Sequence, residues 1–324
     1  MSANDVSGFL TKYRPTSIGE LRLPKVTRTM LNHFVKGNHI RFIATGSAGS
    51  GKTSVLRVML SEYYGERPPI GAILRLDPNS DIGVSQLRSQ LETFCHTSPP
   101  AGWNKKRTVV ADNVDELSPA IQQAIRACMD RYGSTTHFMM ACTQPRKVPI
   151  VLKNRAWMIT CPSAHLKELQ ELQKKVCKAE GLVLDKAAAR FVVSASFGSI
   201  RVLLQYLDKL TLWGGHVTLP IAQQCCSVVH PERLDQFLAA SKSDSTGYSG
   251  TRVLYSLYDD GFSVMDIIDA CFTHVMTSNI EDSLAYNVIE ILAEGVLRFH
   301  QVHENEITLA SVARSVSKVL AHQN

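Results

Sequence analysis

Gly46-Ser47-Ala48-Gly49-Ser50-Gly51-Lys52-Thr53 is the stretch whose reading decides the fold. It matches G-x-x-x-x-G-K-[ST], and its flanks are those the pattern needs: an apolar strand over Ile40 to Thr45 runs into it, and an apolar-periodic helix leaves it from Ser54. The glycines let successive backbone N–H groups turn inward onto phosphate oxygens with no Cβ in the way, and the following helix offers its positive end to the same anion. Lys52 is placed to reach the β and γ phosphates of a nucleoside triphosphate, and the Thr53 hydroxyl to ligate Mg²⁺.

Upstream, Lys12-Tyr13-Arg14-Pro15 sets an aromatic between two cations, closed by a proline that stops a helix. Its place ahead of the phosphate loop predicts a contact with the base or ribose, since loops on the rim of an α/β sheet make such contacts. Met30, Leu31, Phe34 and Val35 predict a helix that ends at Gly37.

Downstream, Gly71 to Asp77 reads as a second strand, leading through Pro78-Asn79-Ser80-Asp81 into a helix with Leu87, Leu91, Phe94 and Cys95 on one side. After the Pro99-Pro100-Ala101-Gly102 turn, strand Thr108 to Ala111 ends in acid. Asp112 stands where the carboxyl end of a buried parallel strand holds a residue beside Mg²⁺, with Asp115 three positions on. Ser118 as N-cap and Pro119 at the first helical position open a helix that runs to Tyr132. Strand His137 to Cys142 ends at Thr143, a small polar residue suited to sensing a γ-phosphate, and a fifth strand, Ala156 to Cys161, follows Lys153-Asn154-Arg155. Alternating strands and helices predict an α/β fold, a five-stranded parallel sheet with flanking helices and the nucleotide at the strands' carboxyl ends. From Pro162 the pattern is helical, over Leu166 to Cys177, Lys186 to Ser196 and Ile200 to Trp213. A further helical region begins at His230-Pro231, with a flexible stretch expected over Ser241 to Gly250 and a turn at Ser278-Asn279.

The 324 residues suffice for two or three domains, and 44% hydrophobic with 20% charged residues describe an ordinary globular chain. No apolar run approaches the roughly 20 residues of a membrane span, and no signal-peptide pattern opens the chain, which predicts an intracellular protein with no membrane partner. Eight cysteines lack C-x-x-C or metal-ligand spacing and read as reduced, mostly buried small hydrophobes. The net charge of +6 permits a polyanionic partner without demanding one.

The order of these elements resembles a small subunit of the eukaryotic clamp loader, replication factor C, within the AAA+ ATPases. The carriers are Lys12-Tyr13-Arg14-Pro15, the phosphate loop, Asp77-Pro78-Asn79-Ser80-Asp81, the helix after the acidic strand end, Asn154-Arg155-Ala156, Phe197-Gly198-Ser199-Ile200-Arg201, and His230-Pro231 with Asp260-Gly261-Phe262-Ser263. The resemblance implies an AAA+ nucleotide-binding domain over 1–162, an all-α lid over 163–228 and an all-α collar for oligomerisation over 229–324. It implies ATP and Mg²⁺ as cofactors, with Tyr13, Arg14, Pro15, Gly46 to Thr53 and Ser54 on the nucleotide and Thr53 and Asp112 on the metal. It further implies a heteropentamer with other clamp-loader subunits, acting on a ring-shaped sliding clamp and primer-template DNA in the nucleus. Arg155 takes the place of an arginine finger supplied in trans, Arg201 that of the lid's in-cis sensor, Thr143 that of the strand-end sensor, and Arg88 that of a DNA-phosphate contact. Ile82 stands where the family often has arginine. The clamp surface is expected to include the helix end at Asp130-Arg131-Tyr132.

One departure bears on catalysis. Where the family carries Asp-Glu-Ala-Asp, this chain has Asp112-Asn113-Val114-Asp115, so an amide replaces the glutamate that orients and activates water. Asn113 can hydrogen-bond a water but cannot accept its proton. Together with Thr143 in place of asparagine, this predicts that nucleotide binding is spared while the chain's own hydrolysis is weak. A fully active ATPase subunit is the alternative. A different AAA+ replication or recombination ATPase is a third reading, and it predicts a C-terminal winged helix that the helix-only pattern does not supply.

Overall fold

The computed structural model describes residues 8–65, 68–78, 83–97, 105–226, 229, 231–277, 281–302 and 305–321. Asn79, Ser80, Asp81, Ile82, the Pro99 to Gly102 turn, His230 and the Ser278-Asn279 turn lie outside these residues. The chain divides into two compact units, Met1–Cys226 and Ser227–Asn324.

The first unit opens with α1 (Phe9–Lys12) and α2 (Lys25–Lys36), followed by β1 (Arg41–Thr45), α3 (Lys52–Tyr64), β2 (Ile73–Leu76), α4 (Val84–His96) and β3 (Arg107–Ala111). Then come α5 (Pro119–Tyr132), β4 (Thr136–Cys142), α6 (Ile150–Lys153) and β5 (Trp157–Thr160). The five strands form one parallel sheet in the order β2-β3-β4-β1-β5. Central β4 is buried along its whole length. Its side chains alternate between faces: Met139 and Ala141 join a core with Leu31, Leu56 and Met59, while Phe138, Met140 and Cys142 join one with Leu91, Ile121 and Ile125. This two-sided burial explains why the strands read as continuous apolar runs.

After the sheet come α7 (Leu166–Glu180), β6 (Val183–Leu184), α8 (Lys186–Ala195), α9 (Ile200–Trp213), β7 (His216–Val217) and α10 (Leu219–Cys225). The predicted helices are present, and β6 and β7 add a two-stranded parallel ladder that was not expected. At two residues each they are too short to carry a sequence period.

The second unit contains α11 (Pro231–Ser243), α12 (Tyr248–Asp259), α13 (Val264–Thr277), α14 (Asp282–Val302) and α15 (Glu306–Ala321) around its own core, with no strand among its described residues. The stretch expected to be flexible is a short ordered connection. Asp244 accepts hydrogen bonds from the Thr246 and Ser249 amides at 2.9 and 3.0 Å and from both hydroxyls, and Gly247 turns the chain at φ 80°. These donors hold the Asp244 carboxyl well below the usual carboxylate range. Serine, glycine and aspartate suggested mobility, but they are also the residues that close such a turn. Among the described residues no helix is long and apolar enough to cross a membrane, and all eight cysteines are free thiols, six of them buried.

One buried group makes folding pH-sensitive. His137, 1% exposed, accepts the Ile40 amide on Nδ1 at 3.2 Å and faces Asn38 Oδ1 with Nε2 at 3.2 Å. Burial first, then the neighbouring charges of Lys106, His39 and Arg41, push its pKa down to about 3. The unfolded chain therefore binds a proton below the ordinary value of 6.5 that the folded chain refuses. Stability from this site is fully present above pH 6.5 and is lost as pH falls toward 3. Thermal melting should show Tm dropping across that window, and His137→Gln should flatten the drop.

Candidate nucleotide site

The phosphate loop joins β1 to α3 at the carboxyl ends of the strands. Gly49 and Gly51 are left-handed, at φ 75° and 97°, a conformation that favours glycine. The helix begins at Lys52 rather than Ser54, so the amides of Lys52, Thr53 and Ser54 fall in its first turn, where α-helix geometry provides no intrahelical acceptor. Lys52 is 7% exposed and its ammonium donates to the carbonyls of Gly46 and Ser47, both at 2.9 Å. Burial lowers its pKa, and the charges of Asp112 and Asp115 are among those that partly oppose this. The side chain is thus folded back on the loop that a phosphate would share with it.

Asp112 follows β3 as predicted, and its Oδ2 accepts the Thr53 hydroxyl at 2.8 Å. Its other oxygen, Oδ1, is buried with no partner, as is Ser50 Oγ within the loop. A carboxylate oxygen left unsatisfied beside a threonine hydroxyl fits a divalent cation, which Thr53 and Asp112 would hold. A metal-bound nucleotide held there would supply a phosphoanhydride and the cation that neutralises its charge. Asp115 has a different task. Buried at 7% exposure, it accepts the Thr143 amide at 3.3 and 3.2 Å and the Gln144 amide at 2.8 Å, which fixes the end of β4. Because β4 lies between β3 and β1, Thr143 emerges between Asp112 and the phosphate loop.

Asn113 adopts a left-handed backbone, φ 56°, which asparagine tolerates better than most residues, and its amide donates to Glu116 Oε2 at 3.3 Å. That places a carboxylate next to the amide, a feature sequence reading overlooked because it looked only at the usual glutamate position.

The segment after the sheet touches the loop. A Cβ on Gly49 would lie 2.1 Å from Ser199 Oγ and 3.5 Å from Arg201 Cβ, so the loop touches the start of α9, and Ser47 Oγ lies 2.9 Å from Ser163 Oγ. Arg201 therefore starts from the loop's rim. Ser199 caps α9 by accepting the Val202 amide at 3.4 Å. Just before it, Phe197 is 67% exposed at φ 45°, a costly conformation for a bulky residue and one that clusters at functional sites. Ser163 and Ser199 carried no site signal of their own; only contact with the loop identifies them.

Tyr13 and Lys12 are tied to α7. The Tyr13 hydroxyl donates to Glu180 at the end of α7, and Lys12 pairs with the same carboxylate at 2.7 Å. Burial, then this hydrogen bond, raise the Tyr13 pKa. Arg14 sits beside Arg57 of α3, and burial plus that repulsion lower its pKa. Pro15 ends the segment; no described contact brings Tyr13, Arg14 or Pro15 to the phosphate loop itself.

Arg155 stands apart. It precedes β5, whereas the phosphate loop follows β1, and these strands are parallel neighbours with Phe42 opposite Trp157 and Thr45 opposite Thr160. At about 3.3 Å per residue the intervening strand is about 13 Å long. Arg155 donates instead to Asp130 of α5 and to the Val151 carbonyl at 2.8 Å. Arg88 is exposed on α4 and engaged with Glu92 at 3.0 Å one turn on.

Comparisons with known proteins follow this geometry. The replication factor C small subunit of Methanoculleus marisnigri is 24% identical over 317 residues, covering 97% of this chain and 98% of that protein. A probable replication factor C subunit 2 of Dictyostelium discoideum is 27% identical, covering 88% and 84%. Along most of its length the chain is thus similar to replication factor C small subunits. No protein-family model matches it. Among solved structures, the Thermotoga maritima RuvB Holliday junction branch migration motor superposes with a TM-score of 0.52 at 16% identity, covering 71% of this chain and 80% of that one. Such a likeness speaks for the fold alone: this chain has the AAA+ fold, a five-stranded parallel sheet with flanking helices followed by many helices.

Proposed function

We propose that this protein is an ATP-binding subunit of a heteropentameric clamp loader, which opens a ring-shaped sliding clamp and places it on primer-template DNA in the nucleus. Residues 1–162 act as the nucleotide-binding domain, 163–228 as the lid and 229–324 as the oligomerising collar. Lys52, the loop amides, Thr53 and Asp112 hold Mg-ATP, and Arg201 closes on it from the lid. The observation that carries the reading is the position of Arg155 at the amino end of β5, a strand's length from the chain's own phosphate loop. An arginine there serves a nucleotide bound by a neighbour, not its own. With Asn113 in place of a proton acceptor, the chain holds ATP as a switch between subunits and contributes to cleavage next door.

Assaying nucleotide binding and turnover in the isolated chain and in its assembly with clamp and primed DNA tests this. Binding without turnover in the isolated chain is the expected result; rapid turnover needing no partner would sink the reading. Asn113→Ala should leave turnover by the assembly unchanged. Asn113→Glu should raise single-turnover hydrolysis at this site by about 10², the low end of what a positioned general base contributes. The left-handed backbone costs a glutamate about 1 kcal/mol, too little to cancel that gain.

The carboxylate of Glu116 beside the Asn113 amide favours a second reading, an active ATPase subunit in which Asn113 orients the attacking water and the Glu116 carboxylate takes its proton directly. A large loss of turnover in Asn113→Ala and Glu116→Gln alike would support it.

A further inference from the structure

At the opposite end of the sheet from the phosphate loop, an open cleft of about 520 Å³ is lined by His39, Arg41, Lys106, Asp130, Arg131 and Ser134, among others. His39 and Arg41 enter from the start of β1, Lys106 from just before β3, and Asp130 and Arg131 from the last turn of α5. Asp130 is the one acid in this lining, and it is already shared: Arg155 donates to it, and Arg126 lies 3.6 Å away. The Arg126 Nε is buried with no partner. Arg41 also approaches the end of α5, since a Cβ on Gly133 would lie 2.0 Å from its Nη2. One carboxylate thus stands amid Arg41, Arg126 and Arg155, while Arg131 and Lys106 line the cleft beside it. The remaining charge is repulsive: beyond the effect of burial, Arg41 lowers the pKa of Lys106, and Arg41 with Lys106 lowers that of His39.

We propose that this cleft binds a phosphate-bearing anion, from a nucleic-acid backbone or from a free phosphate, at a site separate from the nucleotide loop. Arginine forks and a lysine converging from three elements suit an anion that takes donors from several directions, and a second carboxylate would leave the cluster cationic. The lining also argues against an acidic protein segment. Met129 is its one apolar side chain and is buried in the sheet core, so the cleft lacks the apolar centre of a protein interface. Phosphate contacts need none.

The full chain carrying Lys52→Ala, which removes the loop's own hold on phosphate, serves for the test. Inorganic pyrophosphate is titrated by calorimetry and a blunt duplex DNA by fluorescence anisotropy, then both again after adding Lys106→Glu and Arg131→Glu. Binding that charge reversal weakens by about tenfold or more, with a duplex affinity that falls steeply with salt, is the expected outcome. Pyrophosphate without duplex identifies a free anion, and duplex binding identifies the backbone. Circular-dichroism melting checks that the reversed form folds; if it does not, Lys106→Ala with Arg131→Ala replaces it. Absent binding, binding indifferent to these substitutions, or equally tight binding of poly-glutamate would overturn the proposal, the last in favour of an acidic protein partner.

Discussion

Replacing Arg155 with alanine should lower ATP turnover by the assembled loader by about 10³ to 10⁵, while ATP binding by the isolated chain stays unchanged. The asymmetry follows from where the residue stands. Its backbone precedes β5, and the strand's length separates it from the chain's own phosphate loop, so its removal takes nothing from the local site. In the isolated chain it is occupied by Asp130 and the Val151 carbonyl, and the role proposed for it requires that it exchange Asp130 for a neighbour's phosphate when subunits join. A guanidinium suits that exchange because it stays charged and offers several donors in one plane. Single-turnover assays on an assembly in which only this chain carries the substitution provide the measurement. Intact turnover, or loss of ATP binding by the isolated variant, would remove Arg155 from this role.

Lys52→Ala is the complementary case. The lysine is buried against the carbonyls of Gly46 and Ser47, with Asp112 and Asp115 nearby, so its ammonium is already aimed into the loop. Charge-assisted hydrogen bonds to two phosphates are each worth about 1.5–3 kcal/mol, so their loss should weaken ATP binding by about 100-fold or more. Titration with a fluorescent ATP analogue measures it. Because alanine suits the first turn of α3 and leaves Thr53 on Asp112, the melting temperature without nucleotide should change little. Unchanged affinity would mean that the loop does not hold a triphosphate.

The two variants separate the halves of the reading: one concerns a site within the chain, the other a residue lent to a neighbour. Asn113 lies between them. Its left-handed turn suits asparagine, so local backbone preference and the absence of a catalytic acid coincide at one position.

Much of this was legible in the chain itself. The apolar strands, the phosphate loop, Asp112 at a strand end and the helix from Pro119 to Tyr132 follow from local rules of periodicity, glycine conformation and capping, which act within a few residues and leave a readable trace. The sequence by itself also determined which chemistry is possible: Lys52, Thr53 and Asp112 can hold a metal-bound triphosphate, and Asn113 cannot take a proton. Tertiary structure alone decided which of these groups meet. It placed Thr143 between Asp112 and the phosphate loop, because strand order is not written in any one strand. It brought Ser199 and Arg201 to Gly49 across about 150 residues of chain, tied Tyr13 to Glu180, and brought Arg41 and Arg155 to Asp130. Contacts between distant segments arise from the packing of whole elements, and the side chains that make them carry no local mark.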